Sequence, residues 1–155
     1  MNKLLTFLCQ FTVFCALFSS TFAHAGEVEV SHQYMRELIP GTTVTSSYMK
    51  ITNHHNVEII LVGAKGSFSP NIELHEHTMV NGMMRMGQVE KIVIPAHGTV
   101  TLEPAGLHIM AFDVNKPLKH GQQETLTLLF DEHPPIEITL PVASIKQASS
   151  HHHHH

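Results

Sequence analysis

The sequence predicts an all-β chain folded as a single-domain Greek-key sandwich or barrel. Three observations carry this. Its apolar runs are short and mostly alternate, turn signals separate them, and no long stretch repeats apolar residues at helical spacing. Strands this short cannot bury a core alone, so many of them must stack in two layers.

In chain order, Met1 to Ala25 reads as an export signal outside the fold. Lys3 supplies its positive end, Leu4 to Phe18 is mostly apolar, and Ala23-His24-Ala25 is a small-x-small cleavage site that would leave Gly26 first. The apolar run is short and interrupted and no second one follows, so no stable membrane insertion is expected once the signal is removed. Phe14-Cys15 lacks the small residues that precede a lipoprotein cysteine, and no lipid anchor is expected. Strands are expected around Val28 and Val30, Val57 to Val62, Ile72 and Leu74, Ile92 and Ile94, Val100 and Leu102, Leu107 to Ala111, Leu126 to Phe130, and Ile136 to Leu140. The turns between them fall at Pro40-Gly41, Asn53 to Asn56, Ser69-Pro70-Asn71, Asn81-Gly82, Pro95 to Gly98, Pro104 to Gly106, Lys119 to Gln122 and Pro134-Pro135. His151 to His155 follow Ser149-Ser150 and read as an expression tag, which leaves residues 26–150 as one domain large enough for its own core.

Composition excludes several function classes. The two cysteines, Cys9 and Cys15, both lie in the signal, so the exported chain has no disulfide, thiolate ligand or thiol nucleophile. A blue-copper electron carrier and a thiol oxidoreductase both need such a cysteine. Without the signal and tag, eight Lys or Arg stand against thirteen Asp or Glu, a net charge of −5 with His neutral. No basic patch points to nucleic acid.

The chemistry concentrates between His75 and Met110. His75, Met86, His108 and Met110 offer two imidazoles and two thioethers, all neutral and two of them soft. Such a set suits copper(I), a singly charged d10 ion that accepts tetrahedral geometry. Zinc more often recruits thiolate or carboxylate, and calcium or magnesium needs oxygen. Strand parity adds to the argument. Ile72 and Leu74 share one face of a strand while His75, His77 and Met79 share the other; downstream, Leu107, Ile109 and Ala111 oppose His108 and Met110. Both strands therefore turn their candidate ligands away from the aliphatic core, which predicts a shallow surface site.

The spacing of these four residues, H-x10-M-x21-H-x-M, resembles the signature of the periplasmic PCu(A)C copper chaperones. Glu73-Leu74-His75, Met83-Met84-Arg85-Met86, Ile94-Pro95-Ala96 and Gly106-Leu107-His108-Ile109-Met110 resemble that family too, and the likeness spans roughly Val28 to Val142. It implies a cupredoxin-like Greek-key β-sandwich and a non-enzymatic, periplasmic metallochaperone for copper(I). The implied recipient is the dinuclear copper centre on cytochrome c oxidase subunit II, reached directly or through a Sco-type thioredoxin-fold partner. Some relatives bind copper(II) through a His- and Met-rich tail, whereas Val142 to Ser150 here contains neither residue type.

His77 and Met79 share the face of His75, and Met83 and Met84 sit in the expected Asn81 to Gly87 loop that delivers Met86; these four read either as secondary ligands or as the soft rim of a docking surface. His54-His55 and His97 fall in turns and read as exposed polar residues. Besides the chaperone, three readings stay open: a copper-sequestering or resistance protein, a copper enzyme using an amino-terminal His24 if cleavage falls after Ala23, and a plain scaffold sandwich.

Overall fold

The computed structural model describes residues 27–144, so the expected export signal, both cysteines and the expected tag lie outside the described residues. Ten strands and no helix make up this part: β1 (Val28–Arg36), β2 (Thr45–Asn53), β3 (Ile59–Lys65), β4 (Asn71–Val80), β5 (Met83–Gln88), β6 (Ile92–Ile94), β7 (Thr99–Leu102), β8 (Leu107–Phe112), β9 (Gln123–Asp131) and β10 (Ile136–Ala143). The eight expected strands are all present.

Two strands escape the apolar pattern. β2, Thr-Ser-Ser-Tyr-Met-Lys-Ile-Thr-Asn, buries Thr45 and Ser47 on the same face as Met49 and Ile51 and buries Tyr48 on the other, so hydrophobicity does not alternate along it. Yet it is the most connected strand of its layer, pairing with β1, β7 and β8. The segment expected as a loop around Met86 is β5. It is exposed throughout and is strand only because it pairs with β4 residue for residue, from His75 opposite Gln88 to Val80 opposite Met83. Asn81 and Gly82 take positive φ (51° and 77°) at the turn, the conformation that lets a two-residue hairpin follow the strand twist.

One layer runs β5-β4-β8-β2-β1, with β7 beside β2; the other runs β10-β9-β3-β6. The parallel pairing of β1 with β10, Met35 opposite Val142, joins the two layers. Every strand except β5 contributes to the apolar core between them, which centres on Phe68, Ile51, Leu61, Ile109, Leu126 and Leu140. At one end, the fully buried Asn53 donates from Nδ2 to the carbonyls of Val57, Ile94 and Pro95, and its Oδ1 accepts the His55 N–H, tying the end of β2 to β6 in the opposite layer. Among the described residues no helix is long and apolar enough to cross a membrane.

Candidate metal centre

β4 and β8 lie side by side with Leu74 opposite Ile109 and both buried in the core. Because successive residues alternate faces, the residues between and beyond them must point the other way. His75 therefore stands directly opposite His108, and Met110 opposite Glu73, on the face away from the core. The two imidazole centroids are 6.0 Å apart. The parity expected from the sequence is correct, but the expected depth needs correcting. His108 is 2% exposed, Met110 7% and His75 8%, so these three are buried on their own face. Rings of these strands and of a neighbour cover them: Tyr48 from β2 lies 6.3 Å from His108, Phe112 of β8 lies 5.7 Å from His75, and the His77 imidazole of β4 stacks on His108 at 4.9 Å and 20°.

Met86 differs from the other three. It sits on the edge strand β5, 48% exposed, and its cross-strand partner is His77, which puts it diagonal to His75. The fold thus gathers His75, His108 and Met110 and sets Met86 at the rim. His77, which spacing left as secondary, stands between the buried trio and Met86.

The hydrogen bonds of the two central imidazoles leave one nitrogen of each available. His108 Nδ1 lies 2.9 Å from the Gly106 carbonyl, an arrangement that places its proton on Nδ1 and the lone pair on Nε2. His75 Nε2 lies 2.8 Å from the Glu73 carboxylate, so that nitrogen donates and Nδ1 keeps its lone pair. That Nδ1 is buried with no hydrogen-bond partner. A buried acceptor without a partner costs about 1–3 kcal/mol, a cost that a bound cation would remove. Orientation of a ligating imidazole through its second nitrogen, by a carboxylate or a carbonyl, is the usual support for a histidine metal ligand. Glu73 and Gly106 fill those two roles, and neither was identified from the sequence.

Electrostatics keep the site ready for a cation. Burial holds the His108 pKa below its ordinary value and outweighs the Gly106 carbonyl, which raises it; the neighbouring His77 and His75 lower it further. The imidazole is then neutral and able to ligate at neutral pH. Among the described residues no three His, Cys, Asp or Glu side chains come together as a metal cage. Besides the imidazoles, the same face carries the thioether of Met110 on β8 and, at the rim, that of Met86 on β5. The Met110 sulfur is itself 4.0 Å from the Ser46 hydroxyl on β2. His54-His55 and His97 lie away from this face: His55 is beside Glu27 and His133, and His97 bonds Asn56.

Comparison with known proteins agrees with this architecture. The LpqE-like family model, described as "Putative lipoprotein LpqE-like", matches residues 28–142. The protein named "Putative lipoprotein Lxx21020" from Leifsonia xyli is 30% identical over 128 residues, covering 82% of this chain and 76% of that one. The solution structure of copper(I)-bound DR1885 from Deinococcus radiodurans is 31% identical, with a TM-score of 0.61 over 78% of this chain and 83% of that one. A copper-bound PCuAC domain from PmoF2 matches at a TM-score of 0.66 and 23% identity, over 77% of this chain and 94% of that one, a likeness of fold. The sandwich is cupredoxin-like.

Proposed function

Since the chain belongs to the LpqE-like family, we propose that it is an exported copper(I) metallochaperone that holds its ion with His75, Met86, His108 and Met110. The observation that carries this reading is the His75–His108 pair, in which each imidazole has one nitrogen engaged by a backbone or carboxylate oxygen and the other left for a metal. DR1885, whose solution structure holds copper(I), is similar over most of both chains and supports the choice of ion. The family is not an enzyme family, and the alternative of a copper enzyme rests on His24, which lies outside the described residues.

The ion is cargo, so the site has to release it as well as hold it. Three buried ligands and one exposed ligand on an edge strand make an asymmetric holder. A partner's sulfur or imidazole would approach over β5, displace Met86 first, and then take the ion from the buried trio by successive exchange. The reading further places the chain in the periplasm, with delivery to the dinuclear copper centre of cytochrome c oxidase subunit II, directly or through a Sco-type partner. The names of the relatives as lipoproteins support an exported protein at the cell envelope.

The test is anaerobic copper(I) titration of chain lacking His151 to His155 against a chromophoric chelator, followed by mixing with candidate acceptors. One tightly held equivalent, lost in His75→Phe and His108→Phe, is expected. Retention of that equivalent by both variants would remove the site. Loading without transfer to any acceptor would leave sequestration as the function.

A further inference from the structure

Beyond Glu76, among the described residues β5 is the one strand that pairs with β4, so His77 to Val80 and Met83 to Met86 form a two-stranded ribbon that runs past the end of β8, tied at its base by the His77 N–H bond to the Gly106 carbonyl. Such a ribbon ordinarily keeps its solvent faces polar. This one carries Met79, Val80, Met83, Met84 and Met86, half of the large exposed hydrophobics among the described residues. Their placement has an order that hydrophobicity alone does not explain. Met79 stands directly opposite Met84, and His77 directly opposite Met86, with all four side chains on the face that carries His75 and His108.

Cross-strand neighbours have Cβ atoms about 4.5–5.5 Å apart, a span over which two thioethers can reach one ion. Met79 and Met84 are 65% and 55% exposed, free to rotate towards each other. His77 adds a second, independent sign: its Nδ1 is buried and has no hydrogen-bond partner, while its ring is held against His108. Nothing anionic stands opposite these positions, and a soft monovalent ion with neutral ligands needs nothing anionic.

We propose that the β4–β5 ribbon carries an outer copper(I) site, formed by Met79, Met84 and the Nδ1 of His77, which lies next to Met86 of the inner site and passes the ion along the face. The proposal rests on the inner-site reading above and extends it outward. The outer site is weaker, because its thioethers are exposed and must be ordered on binding, and it fills second. No electron moves: copper stays copper(I), and each step forms one bond to sulfur or nitrogen as another breaks. Met83, opposite Val80 on the reverse face of the ribbon, takes no part.

The experiment is an anaerobic copper(I) titration of chain lacking His151 to His155, with the methionine methyl groups carbon-13 labelled and followed by NMR. The first equivalent should move the Met110 and Met86 methyl signals, and the second should move Met79 and Met84, leaving Met83 in place. Met79→Leu with Met84→Leu keeps the apolar surface and should weaken the second equivalent by about tenfold or more while leaving the first nearly unchanged. His77→Phe retains a ring to stack on His108 and should also weaken the second step. Stationary Met79 and Met84 signals through two equivalents would overturn the outer site, as would an unaltered second equivalent in the double leucine variant. If Met79 and Met84 move with the first equivalent and Met110 never moves, the outer site stands and the inner one fails.

Discussion

Glu73 decides which nitrogen of His75 is left without a partner, because its carboxylate engages Nε2 and leaves Nδ1 for the proposed ion. Glu73→Leu should lower copper(I) affinity by about ten- to a hundredfold, the range typical for loss of a group that orients a metal-bound imidazole. Glu73→Gln keeps an acceptor oxygen and should lose less; chelator competition measures both. His108 sets an acid limit. Its pKa is lowered in the folded chain, so below about 6.5, the unperturbed imidazole value, the unfolded chain binds the proton more readily than the folded one. The stability of metal-free protein should therefore be full above that pH and decline as acid takes it down towards the lower folded pKa. Urea midpoints across this range should fall less steeply in His108→Gln; equal slopes would show that His108 is not the group responsible. At this scale the sequence was legible in its faces, since His75, His108 and Met110 follow from counting by twos. Their burial was not legible: His77 and Phe112 share their face by the same count, but Tyr48 comes from a strand far away in sequence, and parity does not say how closely the rings pack. Glu73 lies on the same face by the same count, but parity does not say where its carboxylate points.

The β4–β5 hairpin shows how one element can be foreseen in its turn and missed in its strand. Asn81-Gly82 is a readable hairpin signal, whereas β5 has no buried residue and so no apolar alternation to read. β2 was missed for the opposite reason: buried Thr45, Ser47 and Asn53 look polar until their neighbours are known. Gly82 allows a direct test of the hairpin. A side chain there would meet nothing within 4 Å, so Gly82→Val acts only through the positive φ, at about 1–2 kcal/mol. Because β5 adds nothing to the core, that cost should fall on the ribbon. Amide exchange in Met83 to Gln88 should quicken and copper(I) affinity should drop as Met86 loses its place, while the main unfolding transition barely shifts. A large shift in that transition would mean that the hairpin supports the core.

In the whole molecule the site and the core occupy opposite faces of one layer, and none of the four proposed ligands belongs to the core cluster. Metal-free protein should keep a cooperative thermal transition, and copper(I) should raise its midpoint by mass action, by about 2.7 kcal/mol at a free concentration a hundred times the dissociation constant. A broad, non-cooperative transition without copper would contradict this separation. The pairing that closes the molecule has a different kind of consequence. β1 is among the first residues of the domain to be synthesised and β10 among the last, and among the described residues their parallel contact is the one backbone ladder between the two layers. A chain that becomes available progressively from its amino terminus cannot seal its sandwich until Ile136 to Ala143 has emerged, however early its first hairpins form. Refolding must then wait on the joining of distant segments, in the range of milliseconds to seconds typical of such β topologies. The proposed copper surface, assembled from β4, β5 and β8, contains neither strand of that closing pair, so its own ladders can form before the sandwich is sealed.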